Sequence, residues 1–283
     1  MNSQYTPARH KKKIAPAIVI IVSVLIVIFW LLPYLYLMTS AFKPSADVIS
    51  TSPTFWPKTF SIENFTNLFA RMDIWKYLTN SLMTAVCSTC IAVFLGSLSA
   101  YAIARSQGKA SVGLVLLTRF LKMIPVSCIV VPIYLIISKL GLYDTQLALI
   151  LVYAALNMPF VMWTMLSFYQ NVPTVLDEAA CIDGASNFQT FTKVIVPICT
   201  PGIATAFIFT LFLAWNDFLI ALLLTSNKAQ TFTVGLANFL SAYSLDLGPM
   251  CAGAFLFSFP VMFISMMAQK YILAGMTSGA VKG

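Results

Sequence analysis

Six apolar runs dominate this sequence, at about residues 14–38, 78–104, 112–137, 146–168, 202–224 and 250–273. Each is near the roughly 20 residues that a helix needs to cross a bilayer. Lipid offers no partners to exposed backbone N–H and C=O groups, so runs of this length are expected as helices rather than barrel strands. Composition agrees: 59% of the 283 residues are hydrophobic and only 9% charged, against about 25% charged in a soluble domain. The expected fold is an all-α membrane protein. Residues 1–13 form a basic tail, 14–273 a single transmembrane domain with six helices, and 274–283 a C-terminal tail.

Lys and Arg in short connections favour the cytoplasmic side. Alternating the loops puts Arg9, Lys11, Lys12, Lys13, Arg105, Lys109, Lys193, Lys270 and Lys282 on one side, and Lys43, Lys58, Arg71, Lys76, Lys139 and Lys228 on the other. The second side also holds Asp47, Glu63, Asp73, Asp144 and Asp246, so both termini are expected in the cytoplasm. The net charge of +8 needs no nucleic acid, because its densest cluster, residues 9–13, lies where an anionic inner leaflet would be. The first apolar run, about 25 residues long, exceeds the core of a secretory signal and reads as an uncleaved helix.

Bond chemistry finds little support. His10 is the only histidine, so no HExxH pair is possible, and no GxxxxGK[ST] phosphate loop occurs. Cys87 and Cys90 form a CxxC inside an apolar run with no second pair, which suits helix packing better than metal binding.

Between the fourth and fifth runs lies a polar, helix-forming island. Thr174-Val175-Leu176-Asp177 has the form of a capping box, and Gly184 is placed to end the helix that this box would start, giving it about nine residues. Ala179, Ala180 and Ile182 leave it a low-relief surface, with Asp177, Glu178 and Asp183 as its charges. A second capping box, Ser186-Asn187-Phe188-Gln189, starts another short helix before Pro197. Two short helices at a sharp angle would make a rigid knob.

From Glu178 to Pro197 the sequence reads EAA, three residues, G, nine residues, then VIVP. It resembles the signature of the membrane subunits of ABC importers, with Val194 and Val196 in place of the usual Ile and Leu. Asn80-Ser81-Leu82, Ala100 to Arg105, Met123-Ile124-Pro125, Trp215-Asn216-Asp217-Phe218 and the ending Gly-Ala-Val-Lys-Gly extend the resemblance, which is greatest to maltose-type carbohydrate permeases. The resemblance implies a type I importer fold with a cytoplasmic coupling helix near residues 174–184, whose Glu178, Ala179, Ala180, Asp183 and Gly184 meet a separate ATPase. It also implies a place in the cell (inner) membrane of a bacterium or archaeon, and a second permease, two cytosolic ATPase subunits and an extracytoplasmic sugar-binding protein as partners. ATP and Mg would be bound by the ATPases, with no cofactor on this chain. In such permeases the C-terminal tail reaches the ATPase pair, which would make Lys282 a contact; read alone, the tail is a frayed end.

Polar groups inside apolar runs mark candidate pathways, because lipid disfavours them. Asp217 is the only carboxylate inside such a run, Asn216 adjoins it, and Asn157 precedes Pro159 near the middle of the fourth run. These amide and carboxylate groups suit sugar hydroxyls, but they also suit helix–helix hydrogen bonding. Arg119 and Lys122 share a helix face, where they snorkel to headgroups or form a cationic lining suited to a polyol phosphate. Two loops on the second side, 43–76 with its aromatics and 226–248, are long enough to meet a partner. A stand-alone ion-driven transporter is the competing class, but it would be expected to carry internal repeats and a titratable relay.

Overall fold

The structure, a computed structural model, describes residues 14–106, 108–242 and 246–280, and among these every regular element is a helix. The first apolar run forms α1 (Ile14–Ser40). Its last carbonyls are capped from a distance, because buried Asn64 Nδ2 donates to the backbone oxygens of Ser40, Ala41 and Lys43 at 3.4, 3.2 and 2.7 Å. The next loop holds two short helices, α2 (Ser45–Val48) and α3 (Glu63–Arg71). Phe42 stacks on Phe60 and contacts Phe65 and Phe255, whereas Trp56, Phe69 and Trp75 stay exposed.

Next come α4 (Ile74–Arg105), α5 (Lys109–Met123), α6 (Val126–Lys139) and α7 (Gln146–Gln170). The third apolar run, expected as one helix, is broken: α5 and α6 meet at 97°. Ile124 and Pro125 are extended at the break. Proline lacks an N–H and pushes its predecessor out of the helical region, which accounts for the bend. Arg119 and Lys122 are exposed on α5.

α4 and α7 form the most extensive helix pair. The buried face of α4 is lined by Ser81, Thr84, Ala85, Ser88, Ala92 and Gly96, and small residues let helix backbones approach closely. At Gly96 the approach has no slack, since a Cβ there would lie 2.9 Å from Val161 Cβ and 3.0 Å from the Met158 carbonyl oxygen.

The polar island forms α8 (Val175–Ile182) and α9 (Asn187–Thr190), succeeded by a π-helical turn Phe191–Ile195 and α10 (Val196–Ile198). The fifth run is also broken, into α11 (Thr200–Trp215) and α12 (Leu219–Leu224), with Asn216 and Asp217 between them. α13 (Phe232–Ala242) lies in the next loop, and α14 (Leu247–Ala280) continues past the expected end of the sixth run at 273. Among the described residues four helices are long and apolar enough to cross a membrane as they stand, and two bent pairs, α5 with α6 and residues 187–198 with α11 at 84°, raise the number to as many as six.

One end of the bundle gathers Arg105, Tyr169 and α8. The other gathers Arg71 with Asp246, Lys76 with Asn227, and Asp144 with the loop 226–229. Each of these contacts joins loops that the sequence reading put on the same side. Half of the most apolar stretch of α4 is buried inside the chain but none of that of α1, so α1 offers its flank to lipid or to another chain.

Candidate functional site

Thr174 does not cap α8. It is helical itself, at φ −65° and ψ −21°, and its side chain makes no cap bond. The Asp177 N–H is taken by the Thr174 carbonyl at 2.9 Å, so the expected reciprocal pairing does not form. The Asp177 carboxylate turns inward instead. Its Oδ1 accepts from Tyr101 Oη at 2.5 Å, and its Oδ2 lies 2.8 Å from Arg105 Nη2 in a partly buried ion pair. The second pairing is an electrostatic contact lacking linear hydrogen-bond geometry. Arg105 Nη1 also donates to the Tyr169 backbone carbonyl at 3.0 Å, at the end of α7. Tyr101, Tyr169 and Phe191 pack around this clasp with centroid separations of 5.1 to 6.2 Å. Ser97 hydrogen-bonds to Tyr169 Oη. Four segments therefore converge here: the end of α4, the end of α7, α8 and the π-turn.

With Asp177 turned in, the rest of α8 turns out. Ala180 is buried, while Val175, Glu178, Ala179, Ile182, Asp183 and Gly184 are exposed. Val175, Ala179 and Ile182 are four and three apart, so they form one apolar stripe; Ile182 is 86% exposed. Gly184 ends the helix with φ +84°, a conformation that glycine adopts without strain. The second expected capping box is present: Ser186 Oγ accepts from the Gln189 N–H, and Gln189 Oε1 accepts from the Ser186 N–H.

A cavity of about 670 Å³ borders the clasp, lined among others by Tyr101, Arg105, Asp177, Glu178 and Phe188. A second, of about 450 Å³, lies toward the other end of the bundle and is lined by Phe160, Phe209, Phe212, Leu213, Asn216 and Asp217. Asp217 Oδ1 accepts from Tyr153 Oη at 2.8 Å and from the N–H groups of Ile220 and Ala221 at 3.1 and 3.4 Å. It thus starts α12 across the break and ties that break to α7. Asn216 Nδ2 donates to the Phe212 carbonyl at 2.9 Å, and Asn216 is itself part of the cavity lining. Asn157 is almost buried on α7, one turn from Phe160, and does not line this cavity. Lys282 lies outside the described residues.

At the same far end Asp144, in a left-handed conformation with φ 57°, accepts from four successive backbone N–H groups, those of Ser226, Asn227, Lys228 and Ala229, at 3.0 to 3.2 Å. Burial opposes ionisation, but these donors outweigh it and hold the carboxyl well below the usual carboxylate range. Asn80 Nδ2 donates to the carbonyls of Lys228 and Gln230, pinning the same loop from α4.

Sequence reading missed Tyr101, Arg105, Tyr153 and Asp144 as site residues. The first two belong to a string already noted, Ala100 to Arg105, but nothing local reveals that their partner is Asp177. Tyr153 carries no signal beyond being a tyrosine in an apolar run. For Asp144 the signal was Gly141-Leu142-Tyr143-Asp144, a turn sequence ending in an acid that tolerates positive φ.

Residues 92–278 match the family described as binding-protein-dependent transport system inner membrane component. The chain is 37% identical over 267 residues to the trehalose transport system permease protein SugB of Mycobacterium tuberculosis, covering 93% of this chain and 96% of that one. It is 31% identical over 270 residues to the trehalose/maltose transport system permease protein MalG of Thermococcus litoralis, covering 94% and 96%. Among solved structures, a chain of a bacterial ABC transporter involved in the import of the acidic polysaccharide alginate superposes with a TM-score of 0.76 at 20% identity, covering 94% of this chain and 99% of that one, and shows the same fold. With the signature segment folded as an exposed, clasped helix and the match running through it, the chain belongs to the family of binding-protein-dependent transport system inner membrane components.

Proposed function

We propose that this chain is one of two permeases of a carbohydrate importer, with both termini in the cytoplasm and α8 docked on a separate ATPase. The exposed face of α8 carries the reading. Val175, Ala179 and Ile182 put an apolar stripe on a projection outside the apolar bundle, where water would disfavour it and a partner's cleft would cover it. Glu178, Asp183 and Gly184 flank that stripe, and Lys282 would add a contact from the C-terminal tail. ATP and Mg are held by the ATPase subunits. Closure of the ATPases moves the permease helices as rigid bodies, opening the bundle to one side and then the other.

The substrate class follows from relatives that carry trehalose and maltose and from the character of the smaller cavity. Phe160, Phe209 and Phe212 offer flat apolar faces to the C–H side of a sugar ring, while Asn216 and Asp217 offer acceptors to its hydroxyls. Asp217 Oδ2 makes no hydrogen bond among the described residues and supplies the free acceptor. Asn157 extends the path along α7. An external sugar-binding protein delivers substrate at the Asp144 end.

Glu178→Lys and Gly184→Pro test the docking. Proline cannot adopt φ +84°, so the second change unwinds the end of α8. Both variants should stay in the membrane yet lose co-purification of the ATPase and ATP-driven uptake, by about tenfold or more. Near-normal uptake in both would refute the assignment.

A further inference from the structure

Asp177 and Glu178 are adjacent acids with opposite fates. Glu178 faces outward with the exposed stripe, whereas Asp177 is turned into the protein against Tyr101 and Arg105. The Arg105 guanidinium reaches two elements at once, the α8 carboxylate through Nη2 and the last turn of α7 through Nη1. Its Nε is buried with no hydrogen-bond partner among the described residues. A group serving only to stabilise a static fold would be expected to have that donor satisfied.

The packing around the clasp fixes what would move with it. α4 and α7 are locked in close contact at Gly96, where neither Val161 nor the Met158 carbonyl leaves room for a Cβ. α11 is held to α7 just as tightly near its start, where a Cβ on Gly202 would lie 2.6 Å from the Phe168 ring. At the far end Tyr153 of α7 holds Asp217 at the α11–α12 break. A continuous chain of contacts thus runs from α8 through Arg105 and Tyr101 into α4 and α7, and along α7 to the break beside the smaller cavity. Close-packed helices transmit displacement because they do not deform continuously.

We propose that Tyr101 and Arg105 are positioning residues that lock the inward side of α8 to the α4–α7 pair, so that displacement of α8 moves this pair as one body and shifts the Asp217 break. This rests on the reading of α8 as the ATPase contact. Asp177 is then the internal end of the lever and Glu178 its external end.

The test uses the whole importer in lipid nanodiscs, comparing nucleotide-free and ATP–orthovanadate-trapped states by hydrogen-exchange mass spectrometry. ATPase co-purification and ATP hydrolysis are measured alongside. In the unaltered complex, trapping should change protection at α8 and also at the outer half of α7 and the break between α11 and α12. In Arg105→Gln and Tyr101→Phe the ATPase should still co-purify and hydrolyse ATP and the response at α8 should persist, while the distant response falls at least about fivefold, the lower range of coupling between two sites. The exchange Arg105→Asp with Asp177→Arg should restore most of it, which a general loss of folding would not allow. A distant response unchanged in Arg105→Gln overturns the proposal. So does loss of the ATPase and the distant response together without rescue by the exchange, because Arg105 would then support only docking or folding. No trapping-dependent change at α8 in the unaltered complex would instead overturn the reading of α8 as the ATPase contact.

Discussion

Asp144 shows how one side chain can gather the amides of a loop whose carbonyls and side chains are held from elsewhere, by Asn80 and Lys76. Four backbone donors converge on its carboxylate, and burial alone would have raised its pKa rather than lowered it. A carboxyl whose native pKa is depressed stabilises the fold fully above its unfolded pKa of about 3.9 and loses that contribution as pH falls through the native value. Loop 226–229 should therefore keep its amide protection unchanged from pH 8 down to about pH 5, and lose it only in strong acid. Asp144→Asn, which keeps the shape but not the charge, should expose these amides at neutral pH and cost about 1 kcal/mol, a modest value because the site is partly solvated. Hydrogen exchange of the four amides reads both effects. Protection that collapses between pH 7 and 5, or that survives in the variant, would contradict the account.

Among the helices, the glycines of α4 and α5 make a controlled pair. Gly96 faces Val161 and the Met158 carbonyl at distances that leave no space for a methyl group, whereas Gly113 on α5 has nothing within 4 Å. Gly96→Ala should force α4 away from α7 and destabilise the chain by about 1–3 kcal/mol, as overpacking does. Gly113→Ala removes unfolded-state freedom without a clash and should be neutral or stabilising by about 0.4–1 kcal/mol. Thermal unfolding in detergent separates them, and equal shifts would show that the α4–α7 contact is looser than described. The capping boxes make a similar contrast at the two ends of the knob. Ser186 and Gln189 pair as their spacing foretells because both partners lie within one turn. Thr174 and Asp177 have a comparable spacing but fail to pair because Arg105 and Tyr101, far away in sequence, capture the carboxylate.

For the whole molecule, the exposed flank of α1 and the uncovered stripe on α8 are surfaces that one chain leaves open at two places. The proposed assembly would cover both, with a second permease and lipid beside the bundle and an ATPase beneath it. Purification of tagged chain from its native membrane in mild detergent should recover an ATPase and a second permease, identified by mass spectrometry. Recovery of this chain alone, still transporting in vesicles without ATP, would support an ion-driven transporter instead.

Sequence by itself determined the helical class, the approximate positions of the apolar runs and the site of the exposed knob. Those features depend on hydropathy, charge and local turn chemistry, which act within tens of residues. The bend at Ile124-Pro125 was legible in principle from its proline, while the break at Asn216-Asp217 had no such local signal beyond the polar pair itself. Tertiary structure alone decided that Asp177 points inward to Arg105, that Tyr153 holds Asp217, and that Asp144 collects four amides across more than eighty residues of sequence. A side chain's hydrogen-bonding capacity is written in its chemistry, but its partner is chosen by which elements the packed helices bring within about 3 Å.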